Sequence, residues 1–356
     1  MSDNGLGLYL QSLPVDLTVD LARRAEESGF RSVWLSEIIF GDAIVPATAI
    51  ALATERIDIA TGIVGLWARS PVTTAMTAAN LHRLAGGRFV LGVGLQSRTY
   101  VDNWHGQSYE RPLRAVREWM SIVRPIVDGG VADLDGEVFR TRGFQLMAEP
   151  APTRQRIYLA AIGPKMCQLA GELFDGVLGY FASEVYLREV VLPNVRLGAE
   201  RAGRSLEGFD VAVGYPSLVS EGAEGLRQIR GQVAMFATAT ASSSSYETSV
   251  RLAGFDQELA EIQRLVRAGD VEGAIAAVPE AMADALTIAG SPENVHRRIA
   301  AVRAAGATTV VLNPSAPDVW FPLYEGHFPD GVLPPAFDVP AFLSVIDRTI
   351  TSLGGA

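Results

Sequence analysis

The chain has 356 residues, 48% of them apolar, with 40 acidic against 30 basic side chains and a formal net charge of −10. That balance argues against a nucleic-acid partner, whose binders carry a basic footprint, and every apolar run breaks well short of the roughly 18 residues a membrane span needs. The opening MSDNGLGLYL has no basic segment leading into an apolar one, and Cys167 is alone, so neither a signal peptide nor an intrachain disulfide is expected and a soluble cytoplasmic protein is the simplest reading.

Short apolar runs then alternate with helical patterns. GLGLYLQ (5–11) reads as a first strand, followed by a helix with Val19, Leu21, Ala22 and Ala25 on one face, Thr18 as its N-cap and Gly29 as its stop. SVWLS (32–36) is the second strand, and PATAIALATE (46–55) a helix opened by proline. RIDIATGIV (56–64) is the third strand, with a helix over 70–85; RFVLGVG (88–94) is the fourth, with a long helix over 111–129. Residues 130–155 read as a surface hairpin. RIYLAA (156–161) and PKMCQLAGELF (164–174) form the fifth pair, and GVLGYF (176–181) with a helix over 184–202 the sixth. GFDVAVGYP (208–216) is the seventh strand, 222–305 is almost entirely helical by pattern, TTVVLNP (308–314) is the eighth strand, and a last helix covers 338–353.

Eight such units without a compositional break predict an α/β chain forming a single (β/α)8 TIM barrel, with a mostly helical insertion over about 217–305 between strands seven and eight. Within the insertion, the polar TATASSSSYET (238–248) reads either as an exposed loop or as a lid over the active site. No internal tandem repeat is visible.

Chemistry in such a barrel gathers at the C-terminal ends of the strands. After strand two stand Glu37 and Asp42, which either cap the next helix and pair with an arginine, or serve a cofactor or a proton transfer. After strand three, Gly62 and Gly65 permit a close backbone approach or an unusual dihedral. Trp67 and Arg69 follow, a flat face and a cation for a substrate; packing beneath the rim is the other reading of Trp67. After strand four, Gly92 and Gly94 form a GxG, but Ser97 takes the last position of a GxGxxG and no helix opens there, so a dinucleotide fingerprint is not met. His82, His105, His296 and His327 are too far apart in sequence for metal-ligand spacing, and no metal site is expected. No nucleophile elbow or P-loop is present.

Strand five leads into AAIGPKM, where Gly163 can cap a helix and Pro164 fits its first position. The amides of Lys165 and Met166 are then expected at the positive end of the helix dipole, an arrangement that binds phosphate or carboxylate. Lys165 is the only lysine of the chain. A cation there costs a bare helix about 0.3–1 kcal/mol, and a bound anion reverses the sign; a solvated lysine with no ligand is the alternative.

GDAIVPATAIALATERIDIATGIVG, ARSPVTTAMTAANLHRLAGGRFVLGVG, HGQSYERPLRAVREWM and IYLAAIGPKMCQLAGELFDGVL, with RGQVAMFATATASSSSYETSVRLAGF in the insertion, together resemble the luciferase-like monooxygenase family of flavin and deazaflavin oxidoreductases. The resemblance spans nearly the whole chain and is closest to the actinobacterial branch that uses coenzyme F420. It implies a ring bound at the strand C-termini against Gly62, Ile63, Val64, Gly94 and Ser97. A non-proline cis Gly62–Ile63 bond would form a bulge behind the ring, and Ala161, Ile162, Gly163, Pro164, Lys165 and Met166 would lie along the cofactor, the Gly163–Met166 turn holding its phosphate. Glu37 stands where the family has an acid facing the ring.

Two departures narrow the activity. Ile38 replaces the histidine that sugar-phosphate dehydrogenases and luciferases carry after that acid, and Ser97 replaces the former's glutamate. The resemblance therefore implies hydride transfer between the C5 of F420 and a small organic substrate, with Glu37 and His105 handling protons. The alternative is a two-component monooxygenase using reduced FMN; a third reading, of another class, is a barrel that binds flavin without catalysis. Barrels of this family often pair as homodimers.

Overall fold

The central strands are buried on both faces, as the near-continuous apolar runs of a parallel sheet require. The computed structural model describes residues 5–10, 13–38, 41–149, 151, 153–220, 222–238, 243–314 and 339–354. In chain order these form β1 (Leu6–Tyr9), α1 (Val15–Glu27), β2 (Ser32–Ser36), α2 (Ile44–Ala53), β3 (Asp58–Gly65), α3 (Pro71–Leu84) and β4 (Phe89–Gly94). Next come α4 (Pro112–Val127), the hairpin β5 (Val131–Asp135) and β6 (Arg140–Gln145), β7 (Arg156–Ala160), α5 (Pro164–Leu173) and β8 (Gly176–Tyr180). Then follow α6 (Glu184–Tyr186), α7 (Leu192–Arg201), β9 (Asp210–Val219), α8 (Ala223–Thr238), α9 (Ser243–Leu252), α10 (Asp256–Arg267), α11 (Val271–Ala276) and α12 (Glu280–Leu286). The series ends with β10 (Ile288–Gly290), α13 (Pro292–Ala304), β11 (Thr309–Pro314) and α14 (Val339–Leu353). No described helix is long and apolar enough to cross a membrane.

The main sheet has the order β10-β9-β11-β1-β2-β3-β4-β7-β8, with β8 also paired to β9. Apart from the short β10, this is the strand order of a (β/α)8 barrel. By internal packing the chain divides into two compact units, and β1 and β8 are each divided between them.

One unit comprises Tyr9–Leu178 and Asn194–Asp210. Its core holds Trp34, Ile50, Phe89, Trp119 and Phe174, all essentially inaccessible. Each such side chain contributes about 1.5–3 kcal/mol by leaving water. Two carboxylates tie loops to this core. Glu26 accepts the amides of Glu55, Arg56 and Ile57 at 3.0, 2.6 and 2.9 Å. Burial pushes its carboxyl up, but these amides outweigh it and hold the group below its ordinary range. Glu118 on α4 accepts the amides of Glu137, Val138 and Phe139 at 3.1, 2.8 and 2.9 Å, fastening the antiparallel hairpin.

The other unit comprises Met1–Leu8, Gly179–Pro193 and Val211–Ala356. Its core gathers Val233, Val250, Leu259, Ile262, Met282 and Leu286 from the insertion helices. Phe181, Phe236 and Tyr246 meet edge-on or tilted, with centroids 5.3–6.2 Å apart.

Four expectations change at this level. α1 starts at Val15 after Pro14, and Thr18 lies inside it, its hydroxyl bonded to the Pro14 carbonyl at 2.9 Å. α2 starts at Ile44, before its proline, because Asp42 accepts the amides of Ile44 and Val45. Residues 288–290 pair in parallel with Ser217–Val219, a strand too short to show alternation within a helical stretch. Residues 243–248 are helical, not loop, because Val250 and Tyr246 bury apolar surface that overrides the weak helix propensity of the serines. Residues 239–242 lie outside the described residues.

Candidate active site

β3 carries one residue too many for its neighbours. Leu35 pairs Thr61 and Ser36 pairs Ile63, so Gly62 is skipped. On the other side, Ala60 pairs Val90 and Val64 pairs Val93, four positions against three. A Cβ at Gly62 would lie 2.6 Å from Ser36 Oγ and 2.7 Å from the Tyr9 ring, so any larger residue must displace one of these side chains. The expected cis bond is not found: the Gly62–Ile63 peptide is trans, because a β-bulge absorbs the extra residue without the costlier isomer. The glycines here serve packing within the chain. A Cβ at Gly92 would fall 1.9 Å from the Thr61 carbonyl oxygen, and one at Gly94 would fall 2.6 Å from Ile63 Cγ2. Thr61 Oγ1 donates to the Gly92 carbonyl and accepts the Gly92 amide, both at 2.8 Å, fixing this register.

Beyond the bulge lies a polar edge. The Glu37 amide donates to the Ile63 carbonyl at 2.8 Å. Oε1 of Glu37 accepts Arg69 Nε at 2.9 Å and Nη2 at 2.6 Å, and Oε2 faces the Gly65 amide at 3.4 Å. Arg69 Nη2 also reaches Asp42 Oδ2 at 3.2 Å. Asp42 thus both caps α2 and pairs with the arginine. The hydrogen bond to Glu37 raises the Arg69 pKa against the opposing effect of burial, so the guanidinium stays charged. The expected acid and the expected substrate cation are therefore one ion pair.

Gln96 escaped the sequence reading. It adopts φ +58°, uncommon outside glycine, just past β4, and its Nε2 donates to the Glu37 carbonyl at 2.9 Å. Its amide lies so close to Gly65 that a Cβ there would come within 2.3 Å of Oε1. Nothing in the local sequence marks a left-handed glutamine.

The loop after β4 holds a π-helical turn, Tyr100–Trp104, where no helix was expected. Ser97 starts it: its carbonyl accepts the Val101 amide at 3.1 Å and its hydroxyl the Tyr100 amide at 3.3 Å. Tyr100 and Trp104 stack at 4.0 Å. His105 ends the turn, half-buried, its amide on the Tyr100 carbonyl. Trp67 is buried, 4.8 Å from the Tyr109 ring, which is the packing reading of that residue.

β7 delivers the helix start. The Ala161 amide donates to Leu178 at 3.0 Å, and Gly163 is the extended N-cap before Pro164. The Met166 amide, expected to point outward, instead folds back onto the Gly163 carbonyl at 3.1 Å, tightening the first turn. The Lys165 amide has no backbone acceptor among the described residues. The Lys165 side chain is exposed and lines a groove on the outer side of α5. Ile63 near the end of β3, Ile162 just past β7 and Met166 in the first turn of α5 remain partly exposed.

Partly exposed apolar side chains, a charged polar edge and a helix N-terminus, at the ends of the neighbouring strands β2, β3, β4 and β7, suit a flat heteroaromatic ring with a phosphate arm. A 5,10-methylenetetrahydromethanopterin reductase of Archaeoglobus fulgidus is 32% identical over 302 residues, 83% of this chain and 88% of that protein. A Mycobacterium tuberculosis protein, provisionally named a coenzyme F420-dependent oxidoreductase, is 31% identical over 323 residues, 85% of this chain and 92% of its own. Among solved structures, the coenzyme F420-dependent tetrahydromethanopterin reductase of Methanopyrus kandleri superposes with a TM-score of 0.77 at 25% identity, covering 88% of this chain and 93% of that one. The sequence pattern of the luciferase-like monooxygenases matches residues 1–309, and the chain belongs to that family.

Proposed function

We propose that this protein is an F420-dependent oxidoreductase acting on a small organic substrate. The observation that carries the reading is the likeness, over more than four-fifths of the chain, to proteins named for F420 at 31% and 25% identity. When bound, the deazaflavin supplies a C5 that gives or takes a hydride and activates oxygen poorly.

The chain's own residues supply placement. The Gly163–Met166 turn offers the Lys165 amide and the helix dipole to a phosphate. Ile63, Val64, Gly94, Ser97, Ala161 and Ile162 are the residues that the family resemblance puts along the cofactor, and of these Ile63, Ser97 and Ile162 keep surface to offer it. Arg69, locked by Glu37 and Asp42, presents a fixed positive charge toward a polar ring edge or a substrate oxygen. Glu37 orients that charge, while the half-buried His105 ring, with no hydrogen bond among the described residues, is the group free to carry a proton.

Spectroscopic titration tests this. One equivalent of F420 should bind per chain, and reduced F420 should be consumed only with substrate. Binding of reduced FMN with oxygen uptake and no F420 binding would replace this reading with the two-component monooxygenase.

A further inference from the structure

A groove of about 470 Å³ runs along the outer face of α5, walled by α4 and α7. Its charged lining is Arg114, Arg117, Lys165 and Arg201 against Glu118 and Glu172, a local cationic excess on a chain of net charge −10. Both carboxylates are already engaged. Glu118 holds the three hairpin amides, and Glu172 takes both terminal nitrogens of Arg117. Arg114 is 2.7 Å from Glu137.

Lys165 and Arg201 differ: neither has a carboxylate within ion-pair distance among the described residues. Arg201 Nη1 instead donates to the Gln168 amide oxygen at 2.9 Å, and Gln168 Nε2 donates to Asn194 Oδ1 at 2.8 Å. The guanidinium is thus held by neutral groups, with the Glu172 carboxylate near enough to feel its charge but beyond ion-pair distance. The two helices approach closely here, because a Cβ at Gly198 would lie 1.9 Å from the Gln168 carbonyl oxygen. Lys165 is the second residue of α5, which opens four residues past the end of β7, so this end of the groove adjoins the Gly163–Met166 turn. From Lys165 to Glu172 it follows the helix for roughly 10 Å.

We propose that this groove binds the polyanionic tail of the cofactor, leading it from the phosphate-holding turn past Lys165 to Arg201. The proposal rests on the F420 reading above, since FMN ends at its phosphate and has nothing to place there.

The test compares F420 bearing its glutamate tail with the same deazaflavin cut back before the first glutamate. Wild-type protein should bind the tailed form about fivefold more tightly at low salt, the size of two exposed ion pairs, and lose that preference at about 0.5 M salt. Arg201→Glu should abolish the preference while leaving affinity for the short form unchanged, and Lys165→Glu should also abolish it. Equal binding of both forms by wild type, or a preference that survives Arg201→Glu, overturns the groove and spares the cofactor. Binding of neither form overturns both.

Discussion

Replacing Arg69 with methionine removes the partner that holds Glu37 while keeping a flexible side chain of similar length. The two side chains are 27% and 15% exposed, so the pair lies between two regimes. Exposed pairs contribute about 0–1 kcal/mol; breaking a fully buried one costs about 3–5 kcal/mol. Two hydrogen bonds reach one carboxylate oxygen, and Asp42 shares the guanidinium. An intermediate loss of about 1–2 kcal/mol is therefore expected for Arg69→Met. Denaturant unfolding of wild type, Arg69→Met, Glu37→Gln and the double variant measures it, with a coupling of about 1 kcal/mol between the sites. Additive single changes, with coupling below about 0.3 kcal/mol, would show that the carboxylate and guanidinium do not act as a unit.

Three further outcomes follow from the same geometry. Gly92→Ala sets a Cβ against backbone that cannot rotate away, so it should cost at least about 3 kcal/mol or prevent soluble folding; a neutral unfolding midpoint would contradict the β3–β4 register. Gly62→Ala meets Ser36 Oγ and the Tyr9 ring, and should cost about 1–3 kcal/mol and weaken cofactor binding; unchanged binding would detach the bulge from the site. His82 is buried between the Phe89 carbonyl and Thr153, and burial lowers its pKa despite those hydrogen bonds. Its folded value lies below the unfolded value of about 6.5, so its contribution is complete above that pH and is lost as pH falls from there through the folded pKa. His82→Gln should flatten the fall in unfolding midpoint between about pH 7 and pH 5, and an unaltered slope would assign that fall to other groups.

The strands were legible because burial on both faces writes itself as an apolar run: SVWLS is β2 residue for residue, and α3 begins one residue after the expected start, with Ser70 as its cap. What stayed hidden depends on partners distant in sequence. The trans bulge at Gly62 exists because two neighbouring strands share one register against β3. Gln96 reaches Glu37 across 59 positions, and its left-handed backbone contradicts its residue type. The serines of α9 follow a core formed by Phe181 and Phe236. At the site, Glu37, Asp42 and Arg69 were visible as charges at strand ends; only the folded chain shows them sharing one ion pair. Lys165 was visible as the lone lysine of an anion-favouring turn, but its side chain faces the groove outside α5.

Equilibrium titration of the purified chain with F420 and with FMN, each in oxidised and reduced form, decides which cofactor the barrel takes. The expected result is saturable one-to-one binding of F420 with a perturbed deazaflavin absorbance, weaker in Gly62→Ala and Arg69→Met. Stoichiometric binding of reduced FMN with oxygen consumption, and no spectral response to F420, would contradict it.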